Sequence, residues 1–414
     1  MKLLVTFTGH AVEMAGRFYN RSKALVNYEH LCRYRQAGGD VVVMLRCRRG
    51  EQVDASWPRI DGEGVSVWPV PDPASPLRAL WSLPRILWAA LQGIRACDGC
   101  LLKLPEPTST VVGLLLLAAG KKYAVEVVAD AAEGIRWAKR DMPLVGWYSR
   151  LFEVLTRLLV RRAEGATYVS AYLRRRYPTR HPEREWVFCS VEFSPEAVGR
   201  PRPVEFFGRR PFRLISVGRF SPEKGHVYLV RALRHLRQLA PSPLQLHLVG
   251  DGPDRGALEE ESRVLGVADL VHFHGYVPRG PELFALLDGM HLFVLPSLTE
   301  GMGRGLIEAM ARGLPCVGSA VGGIPEYLPR EALCPPGDPQ AIAERIAPLL
   351  GQPETLARMS ARNFEAVRRF WTPGRQEGKT AFWSMVRGLC EQGAAAKQLS
   401  VQGTGAGRKA RFFC

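Results

Sequence analysis

Short apolar runs rich in β-branched residues alternate with longer stretches whose apolar positions recur every three or four residues. In the first half "KLLVTFT" (2–8), "DVVVMLRC" (40–47), "GCLLKLP" (99–105), "KYAVEVVA" (122–129) and "ATYVSA" (166–171) read as strands, and 20–37 as a helix. In the second half the rhythm is sharper. "FRLISVG" (212–218), "LQLHLVG" (244–250), "VHFHG" (271–275), "HLFVLP" (291–296), "PCVGS" (315–319) and "ALCPP" (332–336) read as strands. Between them, 224–240, 254–265, 281–288 and 303–313 read as helices. Continuous apolar strands separated by amphipathic helices predict parallel sheets with crossover connections. The fold class expected is therefore α/β, with two doubly wound, Rossmann-like domains.

A polar segment rich in Pro and Gly, "FSPEAVGRPRPVEFFGRRP" (193–211), separates the halves. The expected divisions are a first domain over 1–195, a linker over 196–210 and a second domain over 211–375. The segment 393–414 lacks periodicity and is expected to be a disordered tail.

A chain of 414 residues with 46% hydrophobic and 23% charged residues is long enough for two cores. Lys and Arg outnumber Asp and Glu 56 to 40, a formal charge of +16. Such an excess points to a polyanionic partner: nucleic acid, anionic lipid or a phosphorylated substrate. Nine cysteines follow no repeating pattern, and Cys97 and Cys100 have no second pair to complete a zinc site. No metal site is expected, and the unframed cysteines fit a reducing cytoplasm. The most apolar run, 111–120, is about half a bilayer span. The opening "MKLLVTFTG" suits a first strand better than a signal peptide.

Four features of the second half fall at the carboxyl ends of expected strands, where open parallel sheets bind ligands. "SVGRFSPEKG" sets Arg219 and Lys224 beside Gly218, two cations suited to a diphosphate, or else surface charge on a loop. "LVGDGPDR" supplies Gly250 and Gly252, for close backbone approach or merely for a turn. "FHGYVP" brings backbone near Tyr276 and Val277 within reach of a base edge. Finally "LTEGMGRGLIEAMARGLP" places Glu300 and Glu308 on either side of Gly301, Gly303 and Gly305 at a helix start. Free amides there suit phosphate or sugar oxygens, and flanking carboxylates suit hydroxyls.

In the first half, Asp130 ends the "VEVVAD" strand and His10 lies in the expected first βα loop. Both are candidates for acceptor-side chemistry, although a strand-end Asp is also an ordinary helix cap. Arg157, Arg161, Arg162, Arg174, Arg175, Arg176, Arg180 and Arg184 interleave with Tyr168, Tyr172 and Tyr177. No nucleic-acid-binding motif accompanies them. Helix 77–95 sets Leu77, Leu80, Trp81, Trp88 and Leu91 near one face, for burial on the sheet or for resting on a membrane.

Taken together, "VGRFSPEKG", "LVGDGPDR", "FHGYVP", "EGMGRGLIEAMARGLP" and "VGGIPEYL" resemble, in order and spacing, the motifs of the group-1 (GT4-type) retaining glycosyltransferases. The resemblance covers 211–345 strongly and the first half loosely, where segments look like bacterial polysaccharide-assembly members. It implies the GT-B fold, with the two domains facing a central cleft and a helix over 376–392 crossing back to the first domain. It implies a nucleotide-sugar donor, UDP-sugar or GDP-mannose, and no cofactor. Arg219 and Lys224 would hold the diphosphate, Glu300 the transferred sugar, Glu308 the ribose, and backbone near Tyr276 the base. The amides of Met302, Gly303, Arg304 and Leu306 would meet sugar or phosphate. The acceptor implied is a saccharide or a polyprenyl-diphosphate-linked saccharide, reached from the cytoplasm at the inner, anionic membrane face, with no nucleic acid. A non-hydrolysing nucleotide-sugar epimerase and a degenerate GT-B partner subunit are the alternatives. The "TFTGHAVEMAG" stretch lacks the paired glycines many members carry after their first strand.

Overall fold

The computed structural model describes residues 1–20, 27–50, 52, 54, 57–72, 76–138, 142–188, 195–239, 243–368 and 373–408. In the first half, β1 (Lys2–Met14), β3 (Asp40–Arg49), β4 (Val65–Pro71), β5 (Gly99–Leu104), β6 (Ala124–Val127), β7 (Gly165–Tyr168) and β8 (Glu185–Val187) build one sheet. Their order is β4-β3-β1-β5-β6-β7-β8, with β2 (Arg17–Asn20) antiparallel on β1. The second sheet contains β9 (Phe212–Val217), β10 (Leu244–Val249), β11 (Val271–Gly275), β12 (Leu292–Leu295), β13 (Cys316–Ser319) and β14 (Leu333–Cys334). It is ordered β11-β10-β9-β12-β13-β14 and every pairing is parallel. Strand order thus reverses between β1 and β5 in one sheet and between β9 and β12 in the other. Both halves are doubly wound.

The halves are joined by apolar contact. One buried cluster runs from Val127 and Val169 in the first half to Met302, Leu306 and Ile324 in the second. Burying a side chain the size of Met302 stabilises this closure by about 2 kcal/mol.

Three expectations are corrected and one is refined. β1 does not stop at residue 8 but continues through a register shift to Met14 and turns into β2 at Ala15 and Gly16, both with positive φ. Such a two-residue hairpin normally announces itself by Asn-Gly or Asp-Gly, which is absent here. The 20–37 helix is shorter, Tyr28–Cys32 followed by a 3-10 turn Arg33–Ala37; residues 21–26 lie outside those described. The segment 196–210 is largely exposed, as a linker would be, but is pinned at one point. Arg202, 8% exposed, donates to the carbonyls of Leu287, Asp288 and Met290 and so caps the end of helix Pro281–Asp288. Burial brings its pKa down to about 10, opposed by Asp288. Last, helix Pro373–Arg408 continues well past residue 392, so 393–408 is helical; residues 409–414 lie outside those described. Its run of Ala, Gln and Lys favours helix even without an apolar stripe. Phe382, Val386 and Cys390 of this helix pack with Leu3, Val5 and Leu101 of the first half, and Lys397 pairs with Asp98 at 2.8 Å.

Candidate active site

At the reversal between β9 and β12, neighbouring loops leave for opposite faces of the sheet and open a crevice between them. The β9 loop passes Gly218 and exposed Arg219 into a 3-10 turn, Pro222–Lys224. The β12 loop carries Ser297 and Glu300. The two are tied together: the amide of Leu298 donates to Glu223 at 2.8 Å, and Lys224 Nζ lies 2.6 Å from Glu300 Oε2. Ser297 Oγ donates to the same carboxylate oxygen at 3.3 Å. A Cβ on Gly225, whose φ is +66°, would stand 2.2 Å from the Pro296 carbonyl oxygen, so only glycine lets these loops meet.

Helix Arg304–Ala311 starts at Gly303 (φ +83°) with no side-chain cap. Its first amides have no intrahelical acceptor, and its positive end adds to the field in the crevice. Glu308, one turn in, pairs through Oε1 with Arg279 Nε at 2.9 Å. Burial raises the Glu308 pKa, while Arg279 and Arg304 act to lower it. Arg304 responds to both acids: burial lowers its pKa, and Glu308 and Glu300 oppose the fall. Three cations and two carboxylates are therefore interleaved around one crevice.

Several of the expected residues have packing surroundings that account for their side chains or the lack of one. Met302 and Leu306 are buried in the core between the halves. A Cβ on Gly301 would stand 2.2 Å from the Val128 carbonyl oxygen across the cleft, so that glycine serves closure as well. Gly305 approaches Val217. Gly250 and Gly252 press against the carbonyls of Gly218 and Phe220, which gives both glycines a packing reason. Tyr276 is 41% exposed beyond β11, two strands from β9, and Val277 packs partly against the core.

Opposite this crevice, the first sheet's reversal between β1 and β5 holds charges the sequence reading missed. Lys103 Nζ sits 4.0 Å over the Phe7 ring and 3.7 Å from Glu126. Arg33 reaches Glu126 at 3.2 Å, and the Tyr34 hydroxyl donates to it at 2.8 Å. Burial would raise the Glu126 pKa, yet Lys103, Arg33 and the Tyr34 hydroxyl hold it at about 2. Burial brings Lys103 down to about 8 against the pull of Glu126. His30, half-buried beside Arg33, Lys103 and Arg304, is brought down by desolvation and these cations to about 3. Arg33 and Arg304, one from each half, are near enough to repel. The signal was present: one Lys in "LLKLP" and one Glu in "AVEVV" interrupt otherwise apolar strands.

Two further residues hold the cleft shut. Glu326, in the "VGGIPEYL" stretch, accepts from the amides of Ala171 (2.9 Å) and Tyr172 (2.5 Å) at the start of a first-half helix. Thr299 donates to Glu133 at 2.8 Å.

The acceptor-side candidates do not stand as expected. Asp130 is 3% exposed; it accepts from the amides of Ala132 and Glu133 and pairs with Arg176. Its carboxylate is a helix cap and an ion-pair partner, the local alternative that the sequence also allowed. His10 lies on the extended β1 rather than in a loop, half exposed, with Nδ1 2.9 Å from Asp72. Among the described residues no group of three or more His, Cys, Asp or Glu is gathered to hold a metal. Cys97 and Cys100 are unlinked, buried thiols with pKa values raised by burial to about 12.

Comparison with known proteins agrees with this geometry. Residues 211–352 match the family model described as glycosyl transferases group 1. The chain is 26% identical over 293 residues to Protein CapJ of Staphylococcus aureus, covering 69% of this chain and 71% of CapJ. It is 33% identical to the putative colanic acid biosynthesis glycosyltransferase WcaL of Escherichia coli, over 36% of this chain and 38% of WcaL. Its fold resembles sucrose-phosphate synthase of Thermosynechococcus elongatus, TM-score 0.65 at 18% identity, covering 97% of this chain and all (100%) of that one. Anabaena Alr3699/HepE, solved with UDP and glucose, aligns with TM-score 0.59 at 18% identity, again over 97% and 100%. The chain has the GT-B fold, and its residues 211–352 match the model of the group 1 glycosyl transferases.

Proposed function

We propose that the protein is a retaining, metal-independent glycosyltransferase that moves a hexose from a nucleoside diphosphate sugar to a saccharide or polyprenyl-diphosphate-linked saccharide in bacterial surface polysaccharide assembly. The observation that carries this reading is the crevice at the β9/β12 reversal, where Lys224, Arg304 and Arg279 interleave with Glu300 and Glu308. Phosphates need the cations and the helix amides; hydroxyls need the carboxylates.

Arg219 and Lys224 hold the diphosphate, Glu300 grips the transferred sugar, Glu308 takes the ribose hydroxyls, and backbone near Tyr276 meets the base. With donor bound, Lys224 moves from Glu300 to the phosphates and leaves that carboxylate to the sugar. The bond between the anomeric carbon and the diphosphate oxygen breaks as the acceptor oxygen bonds to that carbon. The acceptor's proton leaves with the diphosphate, whose developing charge the cations neutralise. UDP-sugar is favoured because HepE was solved with UDP and with UDP-glucose. GDP-mannose is the second reading. A mannosyltransferase of Mycolicibacterium smegmatis named as GDP-mannose-dependent is 32% identical over 217 residues, 56% of its length.

The test is mass spectrometry of reactions containing UDP- and GDP-sugars and a saccharide acceptor, with and without EDTA. A product one hexose heavier, formed equally with chelator, is expected. Donor epimerised in the absence of acceptor would replace this reading with an epimerase.

A further inference from the structure

Three helices cover one face of the first sheet: Pro76–Ala96, Pro107–Ala118 and Val145–Arg162. The middle one touches both of the others. Their outer surface is unusual for a face exposed to water. Trp81 is 82% exposed, Trp88 64% and Trp147 67%. Along the third helix Trp147 is followed by Leu151, Val154 and Leu158, each exposed, at spacings of four, three and four residues. That is an apolar stripe turned outward, on a helix whose other side already buries Phe152, Thr156 and Leu159 in the core. Soluble monomers seldom leave a contiguous apolar area of this kind uncovered.

Charge identifies what covers it. Helices Pro76–Ala96 and Pro107–Ala118 contain no acidic residue, and Val145–Arg162 contains only Glu153. Glu153 is itself taken by Arg157 and Arg176, at 2.9 and 3.1 Å. Arg85 and Arg95 flank the tryptophans of the first helix, and Arg150, Arg157 and Arg161 flank the stripe of the third; all five are exposed. Tryptophan, leucine and arginine in excess of acid together match the boundary of an anionic bilayer, where indole sits at headgroup depth and arginine meets phosphate. No described helix is long and apolar enough to cross a membrane, so the face would rest on the surface.

We infer that this three-helix face docks the protein on an anionic lipid bilayer, with Trp81 and Trp147 as its leading contacts. The placement has a use. Helices Pro76–Ala96 and Val145–Arg162 lead into the amino ends of β5 and β7, so their first two turns, bearing Trp81 and Trp147, lie toward the carboxyl-end rim of the sheet. That rim borders the cleft. Docking therefore sets the mouth of the cleft beside the headgroups and selects an acceptor anchored in lipid; this last step rests on the transferase reading above.

Co-sedimentation of the full chain with vesicles tests the docking without any sugar nucleotide, so its outcome is independent of the donor reading. Vesicles of phosphatidylcholine with phosphatidylglycerol should pellet the protein, and pure phosphatidylcholine should not. The double variant Trp81→Ser/Trp147→Ser should partition at least ~10-fold less, and Arg150→Gln/Arg157→Gln about fivefold less per arginine. Brominated lipid should quench wild-type tryptophan fluorescence, which reads the contact in the unmodified protein. Wild type remaining in the supernatant with anionic vesicles, or variants that bind as it does, would overturn the inference. So would a lipid-free dimer that Trp81→Ser/Trp147→Ser converts to monomer, since a second copy would then cover the face.

Discussion

Replacing Lys224 by alanine isolates the step in which the leaving diphosphate gathers charge. Lys224 Nζ is 2.6 Å from Glu300 Oε2, with the lysine side chain 26% and the glutamate 12% exposed. This pair is partly screened, so its loss should cost stability only about 1 kcal/mol, or roughly 2–4 °C for a unit of this size. Catalysis should suffer far more. A fixed donor aimed at developing negative charge contributes about 3–4 kcal/mol to the barrier, or roughly 10²–10³ in kcat. The assay is steady-state release of nucleoside diphosphate at saturating acceptor, with thermal unfolding run in parallel. A double-mutant cycle with Glu300→Gln sharpens the comparison. If the two residues serve only each other, the double variant is no worse than either single one. If each grips a different part of the donor, their losses compound. A Lys224→Ala enzyme with kcat/KM within about threefold of wild type would refute the reasoning, as that is under 1 kcal/mol of transition-state stabilisation.

Other consequences can be measured separately. Glu308→Gln keeps the shape but weakens charge-assisted acceptance from hydroxyls, so donor KM should rise about 10–100-fold with a smaller change in kcat; an unchanged KM would remove Glu308 from the donor. Asp130→Ala should cost about 1–2 kcal/mol by uncapping a helix and removing one of the two carboxylates paired with Arg176. Denaturant titration should register that loss, and kcat should fall only a few-fold; the opposite pattern would return Asp130 to the chemistry. Glu126, held at about 2 rather than its ordinary 4.5, binds fewer protons folded than unfolded between those values. Its contribution, on the order of 3 kcal/mol, is complete above pH 4.5 and lost as pH falls toward 2. Glu126→Gln should therefore be less stable at neutral pH and flatter in acid unfolding; a wild-type acid limb in that variant would contradict the ion cluster.

The second half was legible because most of its parallel strands are buried and several, β9, β10 and β11 among them, end at a glycine, so period and punctuation agree. The sequence likewise exposed Glu300, Glu308 and the glycines between them, since their spacing is local. What it hid was long-range. Nothing in "KYAVEVVAD" tells that Glu126 will face Lys103 and Arg33 while Asp130 is absorbed by Arg176 and a helix start. Nor does "RPRPVEFF" reveal that Arg202 will be drawn inside by three carbonyls 85 to 88 residues away. The β1–β2 hairpin escaped notice because Ala15 occupies a left-handed position that Asn, Asp or Gly usually fills. The two Arg–Trp–Leu helices, Pro76–Ala96 and Val145–Arg162, were visible as a composition, but only their exposure separates an outward stripe from a buried one.

Central to this account is a nucleoside diphosphate seated at the β9/β12 crevice, and a crystal structure of the protein with UDP tests it most directly. The predicted result is a diphosphate in hydrogen-bonding contact with Lys224 and the amides of residues 302–304, and a ribose whose hydroxyls donate to Glu308. Diphosphate bound instead to Arg33 and Lys103 on the first sheet, with Lys224 still paired to Glu300, would contradict it.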